Sequence, residues 1–207
     1  MSDGSPRETK RHLKGDGCIM KRRTLDRLAS LGGTLVVVVL VVAGSLLMWG
    51  ASFANSSVHN QLAQQDITFP TAQAFANAKP GTEVTPSMKP YLLKYAGQQV
   101  LTGQQAEAYA DHFIAVHLTE MPYHGVYSAV SSAARANPKN AKLQGLVTTV
   151  FQGTTLRGLL LEAYAFGMFG TIALWAGVSA YILAALMLIL VLMGFVHAKK
   201  TPETAEI

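Results

Sequence analysis

The side chains best able to do chemistry stand between positions 55 and 125: His59, Asp111, His112, His117, Glu120 and His124. His117 and Glu120 are three apart, on one face of a helix, and His124 follows just after Pro122. Two imidazoles and a carboxylate of this kind suit zinc or a non-haem iron. The spacing is not a tight ligand pattern, however. Asp111 and His112 are adjacent, so they leave a helix on different faces, and His117 lies five positions beyond His112. Solvated or structurally bonded histidines are the plainer reading, and a metal-dependent enzyme using His112, His117, Glu120 or His124 is the alternative. Nucleophilic and phosphate chemistry have less to work with. There is no Gly-x-Ser-x-Gly elbow, no phosphate-binding Gly-Lys-Ser/Thr loop and no paired-glycine dinucleotide fingerprint. Tyr91, Tyr95, Tyr109, Tyr123 and Tyr127 read as core or interface packing. No catalytic residue, cofactor or metal is assigned, and the chain is expected not to be an enzyme.

What must position these residues is dominated by apolar helix. Half of the residues are hydrophobic and 14% are charged, the composition of an integral membrane protein. The run 159–196 is 38 residues long with one charge, Glu162, and no proline. As a helix it would extend about 57 Å, nearly twice the roughly 30 Å hydrocarbon core of a bilayer. It must therefore both cross a membrane and rise above it, with the inner part, about 173–196, spanning. Glu162 then lies outside the hydrocarbon, where pairing with Arg157 or a nearby lysine is expected. Ala163, Gly167, Gly170, Ala173, Gly177, Ala180 and Ala184 recur every three or four positions along the run. Such a seam of small residues permits close helix contact in lipid.

A second apolar stretch at 31–54, within a helix expected over 24–54, is long enough to span once. Ala29, Gly33, Gly44 and Ala51 fall on roughly one face of it, and Trp49 sits near its outer boundary. Basic residues precede it and follow the second span, among them Arg22, Arg23, Arg27, Lys199 and Lys200. By the positive-inside rule both termini are cytoplasmic. The stretch exceeds the 7 to 15 apolar residues of a signal peptide, so an uncleaved anchor is expected despite the small-residue sequence Ser52-Phe53-Ala54. The net charge of +5 comes mostly from the amino-terminal tail. It fits topology or anionic lipid better than nucleic acid. Cys18, in the same tail, is the sole cysteine, so the rest of the chain must hold together by packing.

The expected organisation is a basic tail at 1–23, the first spanning helix at 24–54, an extracytoplasmic helical domain at 55–158, the long helix at 159–196 and a cytoplasmic tail at 197–207. Within the domain, Pro70, Pro80, Pro86 and Pro90 mark an irregular covering loop. Thr102 to Gln105 fits a capping box, opening a helix that Pro122 stops, with Ala106, Tyr109, Phe113 and Val116 inward. Asn137-Pro138 is expected to begin a further helix ending at Gly153, and Thr154 or Thr155 to cap the long one. The fold class is an all-α integral membrane protein, two antiparallel spans joined by a helical domain.

Three stretches, TLDRLASLGG at 24–33, PYLLKYAGQQVLTGQQAEAYADHFIAVHL at 90–118 and TLRGLLLEAYAFGMFGTIA at 155–173, resemble a family of small two-span membrane proteins of actinobacteria. Members often carry the label of aromatic ring-opening dioxygenases. The chain is also similar in class to accessory subunits of actinobacterial respiratory assemblies. That resemblance implies a non-catalytic accessory or assembly subunit of the plasma membrane, with other integral subunits, such as those of a cytochrome supercomplex, and membrane lipids as partners; a self-associating envelope protein forming a lipid or solute conduit is a separate alternative.

Overall fold

The computed structural model describes residues 22–200. Among the described residues the chain is helical, with no strand and a single isolated bridge between Thr68 and Gln99. Helix α1 spans Arg22–Gln65 and the last helix, α7, spans Ala141–Lys200. Each contains a window of mean hydropathy 2.5, so both are long and apolar enough to cross a membrane.

These residues form two compact units, one of 22–42 with 181–200 and one of 43–180. In the first, only small or slim groups face inward. A Cβ added to Gly33 would lie 2.6 Å from Val191 Cγ2, and one added to Gly194 would lie 2.6 Å from Ser30 Oγ. Ser30, Ala184, Val191 and Ala198 are buried, while Leu28, Leu35, Leu190 and Met193 are exposed.

The second unit has a core of larger side chains. Phe69, Phe75, Met88, Leu92 and Val100 are fully enclosed, and they pack with Ile114 and Leu118 onto Val58 and Leu62 of α1 and Leu160 of α7. Short elements carry them: α2 (Ala72–Ala76), α3 (Lys89–Leu92), α4 (Gly103–Tyr109), α5 (Ala115–Glu120) and α6 (Tyr127–Ala136). The segments before α2 and before α4 are tied by backbone bonds, Phe69 N–H to Gln98 O at 2.9 Å and Val100 N–H to Ile67 O at 2.8 Å. Both halves of the capping box form, with Thr102 accepting from the Gln105 amide and Gln105 reaching back to Thr102. A π-turn at Ala110–Ile114 joins α4 to α5, and the helix ends at Glu120, just before Pro122. Pro122 opens a turn in which Tyr123, His124 and Gly125 all adopt left-handed backbone. Only glycine fits the third position, where a Cβ would lie 2.5 Å from Leu118 O.

The expected break at Gly153 does not occur. Helix α7 begins at Ala141 and runs 60 residues unbroken. Its opening amides at Lys142 and Leu143 donate to Asn140 Oδ1, at 3.1 and 3.2 Å, so Asn140 caps it and Asn137 does not. Thr154 Oγ1 donates back to Val150 O at 2.8 Å, a bond that a threonine makes inside a helix. Gly153 is needed for packing, since a Cβ there would approach Leu118 Cδ2 to 2.9 Å. Of the small residues expected on one face of α1, Gly33, Gly44 and Ala51 are buried, whereas Ala29 is exposed and its neighbour Ser30 is buried.

Candidate functional site

The candidate metal ligands are dispersed, and three of them, Asp111, His112 and His117, are engaged by other groups. Along α4, the π-turn and α5, Tyr109, Phe113 and His117 stack in a row with ring centroids 4.7 and 4.6 Å apart. His117 Nδ1 donates to the Phe113 carbonyl at 2.7 Å, fixing the ring. His112 lies flat on Tyr91, with centroids 3.6 Å apart and planes within 4°. Asp111 accepts from Arg157 Nη2 at 2.6 Å. Glu120 and His124 are exposed, the latter in the left-handed turn. Among the described residues no three His, Cys, Asp or Glu side chains are gathered to hold a metal ion. The proposed His112, His117, Glu120 and His124 set is therefore not brought together.

Of the partners expected for Glu162, Arg157 or a lysine, Arg157 is taken, because it bonds Asp111, 46 positions away in sequence. Glu162 instead lines an apolar groove of about 400 Å³ between the 58–65 turns of α1 and the 156–166 turns of α7. Its walls include Leu156, Leu159 and Phe166, with Gln61 and Gln65 at the rim.

A second cleft, of about 470 Å³, is lined by Asn55, His59, Thr102, Gln104, Tyr164 and Thr171 among others. Its polar groups are hydrogen-bonding and almost all neutral. Ser56 and His59 both line it, but no hydrogen bond joins them among the described residues, so no activated nucleophile is formed. A third hollow surrounds Tyr109, Phe113 and His117. Burial pushes the Tyr109 phenol up from its usual value, and the Glu83 carboxylate adds to the shift.

The seam does structural work in both units. In the second, a Cβ on Gly167 would meet Gly103 Cα at 3.5 Å, one on Gly170 would meet Ala54 Cβ at 3.1 Å, and one on Gly177 would lie 3.1 Å from the Met48 side chain and 3.2 Å from Gly44 O. Ala180 is buried, and Ala163 and Ala173 are half-buried. In the first unit Ala184 is buried and Val191 continues its line. Gly103 was not singled out from sequence as a packing residue. Its Cβ would sit 3.2 Å from Tyr164 Cα, a backbone approach that no sequence spacing signals.

Besides the seam, α7 leaves a winding ridge of large apolar side chains exposed, which starts at Leu159 and Phe166 on the wall of the groove with α1. Leu159, Phe166, Phe169, Ile172 and Trp175 are 58, 43, 68, 58 and 66% exposed. Among the described residues the fold thus defines an all-helical protein with two long apolar helices and large apolar side chains left exposed along α7. No family model matches the chain, and neither a curated protein nor a solved structure matches it.

Proposed function

We propose that this protein is a non-catalytic accessory or assembly subunit of a larger complex in the bacterial plasma membrane. In this reading α1 and α7 cross the bilayer once each as an antiparallel pair, with both termini cytoplasmic and residues 55–158 outside. The order of contacts supports the antiparallel pairing: Ser30 meets Gly194 and Gly33 meets Val191, while farther along α1 Gly44 and Ala54 meet Gly177 and Gly170.

The observation that carries the reading is the ridge. If the hydrocarbon begins near Ala173, Leu159 stands roughly 20 Å above it at 1.5 Å per residue, in water rather than in lipid. Large apolar side chains left open there mark a protein contact. Phe169, Ile172 and Trp175, also exposed, wind on from them around α7 toward the bilayer surface. The resemblance to accessory subunits makes a respiratory cytochrome assembly the first partner to test.

Purification in mild detergent tests this directly. Other integral proteins should accompany the full chain in fixed proportion, and L159S/F166S should release them while the chain remains in the membrane fraction. An isolated, monodisperse chain, or companions held equally well by L159S/F166S, would refute the proposal.

A further inference from the structure

We propose that the cytoplasmic end of the helix pair holds the phosphate headgroup of an anionic phospholipid between Arg27 and Lys199. The proposal rests on the spanning reading above, and the geometry lies wholly within the unit of 22–42 and 181–200. A hollow of about 180 Å³ is lined by Arg27, Leu31, Phe195, Ala198 and Lys199. Arg27 and Leu31 are four apart on α1, and Phe195 and Lys199 are four apart on α7, so each helix sets a cation one turn beyond an apolar residue. Ala198, buried at 3% exposure, is the small residue that leaves the hollow open.

This pattern matches an amphiphile: an anionic head between two cations, with chains lying along Leu31 and Phe195. Among the described residues neither Arg27 nor Lys199 has an ion-pair partner. The carboxylate at this end, Asp26, faces His197 Nε2 at 4.0 Å and does not line the hollow. Lys200 adds positive charge at the same end, which raises the local concentration of anionic lipid.

The test is native mass spectrometry of the full-length chain in neutral detergent. It is incubated with equal amounts of phosphatidylglycerol and phosphatidylcholine of identical acyl chains, or with inorganic phosphate. Phosphatidylglycerol should be retained preferentially, near one per chain, and inorganic phosphate should not displace it. Retention should fall roughly fivefold for each cation removed, and so about 25-fold in R27Q/K199Q. R27K/K199R should keep it, and K139Q/K142Q, which removes the same charge from the other unit, should leave it unchanged. Equal retention of the two lipids, undiminished retention in R27Q/K199Q, an equal loss in K139Q/K142Q, or displacement by inorganic phosphate would each overturn the site. Alkaline extraction of membranes separates the two readings. A chain released by carbonate sinks the spanning reading and this site with it. A chain that stays in the membrane but shows no lipid preference sinks this site alone.

Discussion

The unit of 22–42 with 181–200 and the short-helix part of the other unit bury opposite kinds of side chain. In the former, Gly33, Gly194, Ser30 and Ala184 face inward while Leu28, Leu35, Leu190 and Met193 face out. In the latter, Phe69, Phe75, Met88 and Leu92 are inside. On the proposed spanning reading, the difference follows from the solvent each meets. Water drives large apolar groups together in proportion to the area they remove from it. Lipid offers no such gain, so helices associate where small residues let backbones approach. The 159–175 part of α7 follows neither rule, since its small residues Gly167 and Gly170 pack closely while Leu159, Phe169, Ile172 and Trp175 remain exposed, which is why the proposed function makes it a surface for another protein.

Exchanging the two kinds of residue should break each region in its own way. Phe75→Ala opens a cavity in a fully enclosed site and should cost about 3–5 kcal/mol, read as an earlier thermal transition of the full chain in detergent. A small effect there would mean that the short helices do not share a single core. Next in size is Gly33→Leu. The added Cβ starts 2.6 Å from Val191 Cγ2, and overpacking of this kind costs about 1–3 kcal/mol, measurable by unfolding in mixed micelles. Leu35→Ala, two residues away but exposed, should change almost nothing in the same assay. If Leu35→Ala proved the more damaging of the pair, the inward and outward faces assigned here would be reversed.

Local features of this architecture were readable in sequence, and features that depend on distant contacts were not. The apolar lengths announced two long helices, and Thr102 with Gln105 announced a helix start, because both signals act within a few residues. The false break at Gly153 came from reading glycine as a terminator where its small size serves Leu118, a residue far back in the chain. Arg157 was matched to Glu162 by proximity in sequence, while its actual partner, Asp111, arrives from another helix. The stacking of His112 on Tyr91 was not legible, because no sequence spacing relates them. The ridge was hidden in plain view, since a continuous apolar run looks the same whether it meets lipid, core or partner.

Smaller effects sharpen the comparison within the water-built region. Thr102→Ala removes the acceptor for the Gln105 amide and should cost about 1 kcal/mol, because the α4 helix it opens is short and its first amides have few other partners. Its core neighbours are untouched, so the loss should add to that of Phe75→Ala. A clear departure from additivity would place the cap and the core in one coupled network.

The smallest effect is confined to alkaline solution. Burial and Glu83 raise the Tyr109 pKa in the folded chain above its usual value near 10. The unfolded chain therefore loses the phenolic proton first as pH rises. The stability linked to this group is fully present below about pH 10 and is lost as the pH climbs from there through the folded-state pKa. Tyr109→Phe has no proton to lose, so its melting temperature should decline less steeply than that of the parent chain above pH 10, while near pH 7 the two differ only by the missing hydroxyl. Glu83→Gln removes the secondary cause and leaves burial in place, and should recover only part of that difference. Parallel pH profiles for the parent and Tyr109→Phe would mean that the phenol reaches water in the folded state, and the aromatic row of Tyr109, Phe113 and His117 would then be a surface feature rather than the wall of the core.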